Sequence, residues 1–235
     1  MIIEHSVSHA IKPDLNEFIS EWEQKYRSEI DQVAVFDPEQ TSNWSMEKKR
    51  YFAKIFYHIR GHFHDFLWFM GSHAPDAHTK QIVLNNIAEE FSMNGISHEK
   101  LYHLFAQTLD TNMSDEIVDE HFYLPFVKKF NKNHMSWLTS HGWIECFSAF
   151  SAYEKLDNVD YFYLHRLAKS FDVNGRALTF FSIHLYVEHF DVTFQNLLDM
   201  WKKDAAGVEK AFIFISSNQL EMWKGLANAM GNYQG

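Results

Sequence analysis

Cysteine is almost missing from this chain. A single residue, Cys146, stands among 235, which excludes an intrachain disulfide and a cysteine-based zinc site. Glycine (9) and proline (4) are also scarce. An all-β chain needs many turn residues, so the scarcity points to long helices with few connections. Positive charge is in deficit, with 21 Lys+Arg against 31 Asp+Glu and a formal net charge of −10. No local basic patch offsets it, so nucleic acid is not an expected partner. No stretch approaches ~18 consecutive apolar residues, and no membrane-spanning helix is expected. Met1 to His5 show no basic region followed by an apolar run. No targeting segment is therefore expected, and the expected location is the cytoplasm. A Gly-rich phosphate loop and a Gly-x-Ser-x-Gly elbow are both absent.

Histidine (15) and the aromatics (17%, with 22 Phe) are abundant. Histidine is the commonest metal ligand and the proton carrier of neutral pH. Helical periodicity runs from end to end. Leu15, Phe18, Ile19, Trp22 and Tyr26 recur at three and four, which predicts a helix over residues 14–31. Residues 32–44, with Pro38, read as a loop. Ser45 caps a long aromatic-rich helix expected to reach Ser72. Further helices are expected over residues 74–91, from Ser97, from Ser114, over 126–138, 143–155, 157–171 and 172–203, and from Ala205 to Met230. Ala211 to Ile215 could form a short strand but sit inside a longer helical window. About nine helices and no convincing strand make one all-α domain over residues 1–235.

Several constellations could carry chemistry. His184, Glu188 and Asp191, at i, i+4 and i+7, would share one helical face. Imidazole and carboxylate on one such face is how helical bundles build iron or manganese sites; the plainer alternative is a solvent-facing stripe. Glu90, or its neighbour Glu89, ends one helix, and the turn at Gly95 lets His98 return at the start of the next. Glu154 ends an apolar, small-residue helix on which Glu145 is the runner-up. His58, His62 and Asp65 form a rival stripe with the same spacing, unless they and Arg60 and His64 are simply a solvated face. Cys146, flanked by apolar residues, reads as core. The Phe and Trp stripes read as packing.

Taken in order, these pieces are a helix ending Glu89-Glu90, His98, an Ala-rich helix ending Ala152-Tyr153-Glu154, and Phe180-Phe181-x-x-His184-x-x-x-Glu188. The order resembles the haem-oxygenase-like superfamily of helical bundles from about Trp44 to Trp201. That group includes thiaminase-like (TenA), pyrroloquinoline-quinone synthase-like and diiron oxidase proteins. The diiron oxidases are the nearest in pattern, with a last-helix motif His-x-x-x-Asp-x-x-His. Here Glu188 keeps the acid, and Asp191 stands where that motif has histidine. The resemblance implies two irons on Glu90, His98, Glu154, His184, Glu188 and Asp191, and an oxidase or oxygenase acting on a small organic substrate. Asp191 can still bind iron through oxygen; equally, it can mark a relative that has lost the metal. The alternative functions are a metal-free small-molecule-binding protein of the same fold, or a thiaminase-like hydrolase using Cys146. A small molecule is the expected partner, with a homodimer left open.

Overall fold

The computed structural model of the chain describes residues 13–91, 95–185 and 189–234. Among these residues there is no strand. Helix α1 (Leu15–Ile30) starts where the Asp14 carboxylate accepts a bond from the Glu17 amide at 2.8 Å, an N-cap that satisfies a donor the helix leaves free. It buries Leu15, Ile19, Trp22 and Tyr26 of the expected stripe together with Ile30, while Phe18 is half-buried. The expected loop after it holds a 3-10 turn (Ala34–Phe36) and a short helix α2 (Pro38–Thr41). The expected helix to Ser72 is two helices, α3 (Met46–Gly61) and α4 (Phe63–His73). The break falls at Gly61 and His62, next to the residue least suited to a helix interior after proline.

The chain continues through α5 (Ala77–Glu90), α6 (His98–Thr108, capped by Ser97), α7 (Ser114–Asp119) and α8 (Pro125–Ser140). The two helices expected over residues 143–171 are one helix, α9 (Trp143–Ser170). Nothing at Lys155 to Asp157 can break it, since neither glycine nor proline is there. The helix expected over residues 172–203 is not continuous. Asp172 has φ +66° and Gly175 φ +56°, a 3-10 turn spans Gly175–Leu178, and α10 (Thr179–Ile183) ends before a turn at His184. Helix α11 (His189–Gly231) then runs almost to the end, bent at Asp204, whose φ of −151° and ψ of 78° are not helical. The Asp204 carboxylate accepts from the Gly207 amide at 3.0 Å and caps the second half.

Helix α11 makes its largest contact with α9, which is buried along most of its length and offers Ser148, Ala149, Ser151 and Ala152 where helices must approach closely. Helix α1 lies against the far half of α11. Trp22 Nε1 donates to the Phe212 carbonyl at 3.0 Å, and Trp223 Nε1 to the Tyr26 hydroxyl at 3.2 Å. Beneath them Asp160 of α9, fully buried, accepts from Tyr26 Oη (2.7 Å), Gln219 Nε2 (2.7 Å) and Trp223 Nε1 (3.1 Å). The buried apolar side chains form one continuous cluster. Among the described residues no helix is long and apolar enough to cross a membrane.

Candidate functional site

A cavity of about 110 Å³ lies between α3, α4, α5, α6, α9 and α10, walled by Tyr57, Phe63, Tyr102, Tyr161 and Phe180. Its polar groups are Arg60, His64, Glu90, His98, Glu99, Asp157 and His184. Glu90 closes α5, and His98 opens α6. The Glu90 carboxylate oxygen Oε2 lies 2.8 Å from His98 Nδ1 and 3.6 Å from His64 Nε2. Burial pushes the Glu90 carboxyl up. Hydrogen bonds from His64 and His98 and the charges of His98 and His184 outweigh it and hold the group well below the ordinary carboxylate range. Burial pushes the His98 imidazole down, but its bond to Glu90 and the charges of Glu90 and Asp157 raise it overall. Glu90 is thus held as a carboxylate, and each member of the pair favours the charged form of the other.

Opposite this pair, His184 sits in the turn after α10. Its ring stacks on Tyr161 at 3.9 Å and meets the His98 ring edge-on at 4.8 Å. Its carbonyl accepts from Asn158 Nδ2 at 2.8 Å, which fixes the turn. His184 Nδ1 is 3.7 Å from Asp157 Oδ2. The other Asp157 oxygen is 2.8 Å from Arg60 Nη1, with side-chain exposures of 14% and 11%. Arg60 Nη1 also donates to the Tyr153 hydroxyl, and the guanidinium lies over the Tyr161 ring at 4.8 Å.

Of the residues singled out by resemblance, Glu90, His98 and His184 line this cavity. Glu154 does not line it. It is buried one turn away, accepts from Asn86 Nδ2 at 2.8 Å, and burial, with Asp157 and Glu90 nearby, pushes its carboxyl well up. Asp191 is exposed in the first turn of α11. Glu188 lies outside the described residues. His184 sits in the turn that ends α10 and Asp191 in the first turn of α11, so these two do not share one of the described helices. The rival stripe divides. His58 is buried against Glu116 at 2.6 Å, while His62 meets exposed Asp65 at 3.3 Å. Cys146 does not line the cavity. Its thiol is buried beside the Leu138 and His141 carbonyls, and burial pushes it up to about 11, far from a thiolate at neutral pH.

In the sequence Arg60 and His64 stood out only within the solvated-face alternative to the His58 stripe, and Asp157 was not singled out. Ending a helix at Lys155 hid the spacing Tyr153, Asp157, Asp160, Tyr161, which on a continuous α9 is one face. Treating α3 and α4 as one helix hid the change of direction at His62 that turns His64 inward.

The donor set suits a transition metal, since imidazole nitrogen and carboxylate oxygen are ligands that iron accepts. The Glu90–His98 contact brings two such donors together around a proton that a cation can replace. Among the described residues, as placed, no group of three or more His, Cys, Asp or Glu closes to metal-holding distances.

No family profile matches the chain, and no curated protein matches it. Solved structures do. A domain of unknown function with a haem oxygenase-like fold from Shewanella denitrificans superposes with a TM-score of 0.74 at 12% identity, covering 96% of this chain and 97% of that one. A CADD-like protein of unknown function from Nostoc punctiforme superposes in one crystal structure with a TM-score of 0.64 at 18% identity, over 91% of this chain and 98% of that one. A second crystal structure of it gives 0.65 at 17% identity, over 94% and 98%. At these identities the likeness speaks for architecture alone, and it agrees with the all-helical order of the elements: the chain has a haem-oxygenase-like fold.

Proposed function

We propose that the chain is an iron-dependent oxidase or oxygenase that acts on a small organic molecule in the cavity of Glu90, His98 and His184. The observation that carries this reading is the convergence of those three side chains, drawn from α5, α6 and the turn after α10, on one aromatic-walled space. Iron, when bound, would supply the activation of dioxygen. Glu90, His98 and His184 would hold a first ion, and a second would draw on Asp157 and on Glu188.

The chain's own residues do the rest. Glu90 is already ionised and needs no deprotonation to donate oxygen. Tyr161 and Asn158 fix the His184 ring and its turn, the support that keeps a ligand in one orientation. Phe63, Phe180 and Tyr57 keep the wall apolar and limit water.

Anaerobic titration with Fe(II), followed by calorimetry and by competition with a chelator, tests the proposal. Wild type is expected to take up at least one iron per chain, and Glu90→Gln and His184→Ala to bind at least about tenfold more weakly. Absence of uptake by wild type would refute it. A second reading, metal-free binding of a small molecule, is favoured by the Arg60–Asp157 pair, which already brings a positive charge into the cavity. Ligand binding by a protein that takes up no iron would establish that reading instead.

A further inference from the structure

Arg60 is held on one side only. Its Nη1 is engaged by Asp157 and Tyr153. Its Nε and Nη2 are buried and have no hydrogen-bond partner among the described residues. These two N–H groups form one edge of the guanidinium, the edge that grips a carboxylate through two parallel bonds. A buried donor without an acceptor is costly, so on this side chain, which lines the cavity, an acceptor pair would relieve two such costs at once. The rings of Tyr161 and Tyr153, 4.8 and 5.7 Å from the guanidinium carbon, fix the plane of the fork.

Charge and size narrow the ligand. Asp157 balances Arg60, and Glu90 faces His98 and His64; among the described residues no carboxylate bonds the free edge of the fork. The remaining wall is aromatic. The volume of about 110 Å³ is below the ~150 Å³ of a cavity that holds benzene. What fits inside is a carboxylate with a short apolar body, and any longer tail leaves past exposed Glu99. A tetrahedral, strongly hydrated anion finds too few donors there.

We propose that Arg60 is the specificity-determining residue of this cavity and binds the carboxylate of a small monocarboxylic acid through Nε and Nη2. The proposal rests on reading the cavity as the substrate site, and not on iron.

The test is calorimetric binding of propionate, propionamide and inorganic phosphate to the full chain, with and without chelator. Propionate is expected to bind in both conditions, and the isosteric neutral amide about tenfold more weakly, as the loss of a charge-assisted pair implies. Phosphate is expected not to compete. Arg60→Lys keeps the cation beside Asp157 but removes the fork, so it should fold with wild-type ellipticity and lose the preference for acid over amide. The double variant Arg60→Met/Asp157→Asn removes both charges together and should bind acid and amide alike. The proposal is overturned if propionate does not bind, if the amide binds as well as the acid, if phosphate displaces propionate, or if Arg60→Lys keeps the preference. A protein that takes up no iron yet prefers propionate refutes the oxidase reading and leaves this one standing.

Discussion

His134 offers the cleanest quantitative test of the packing. It lies on α8, buried, with its ring 4.5 Å from Phe130, 5.6 Å from Phe66, 5.5 Å from Tyr153 and 6.1 Å from Phe214. Its Nε2 has no hydrogen-bond partner among the described residues. Burial, with a smaller contribution from the positive charge of Arg60, pushes the imidazole down from 6.5 to about 3. The unfolded chain takes up this proton near 6.5, and the native one only near 3. Stability from this group is thus fully present above 6.5 and is lost progressively as the pH falls towards 3. Each pH unit in that window is worth ~1.4 kcal/mol, so acidification from neutrality to about pH 5 should cost ~2 kcal/mol from this residue alone. His134→Phe keeps the ring contacts and removes the titration. Urea unfolding of wild type and variant at about pH 7 and pH 5 measures the difference. The variant should lose ~2 kcal/mol less than wild type on acidification. Asp160, pushed up to about 7 by burial, works in the opposite direction, but it is present in both proteins and cancels. Equal losses in the two proteins would refute the assignment of His134 as a buried neutral imidazole.

Three further outcomes are expected. Asp160→Asn places an amide NH2 against donors that now face a carboxyl, and urea unfolding should show a loss of about 1–3 kcal/mol. Gly225→Ala would set a Cβ 2.6 Å from Cδ2 of Phe126, and should destabilise by about 1–3 kcal/mol through displacement of that ring. Phe126→Ala in the same chain should then cost less than it does in wild type, a coupling read from a double-mutant cycle. Because Asp191 is exposed, Asp191→Ala should leave the Fe(II) affinity within about twofold of wild type, whereas a loss as large as that of His184→Ala would make Asp191 a ligand after all.

Much of the architecture was legible because helices announce themselves through periodicity and caps. Ser45 and Ser97 each cap the helix that follows, as read from residue type alone. Breaks inside apolar windows were less legible. Gly61 and the stretch from Asp172 to Leu185 interrupt runs whose hydrophobic spacing continues across them, and tertiary packing decides there. The same applies to the site. Glu90 and His98 are 8 positions apart, so spacing along the chain was enough to pair them. Arg60 and Asp157 are nearly a hundred positions apart and meet only because the fold brings the end of α3 to the middle of α9; no local pattern carries that information. His184 and Asp191 satisfied a helical spacing, yet they fall in different described elements, the turn after α10 and the start of α11.

The seam between α1 and the far half of α11 sets a timetable for the making of this protein. Trp22 waits for Phe212, and Tyr26 for Trp223, partners 190 and 197 positions later in the chain. A ribosome adding about 5–20 residues per second needs roughly 10–40 s to cover that distance. For that time the apolar stripe of the first helix has emerged before the surface that covers it has been made. The nascent chain must therefore rely on early burial against other elements or on a chaperone, and a synonymous change that slows translation between α9 and α11 lengthens the interval in which Trp22 and Tyr26 lack their final partners.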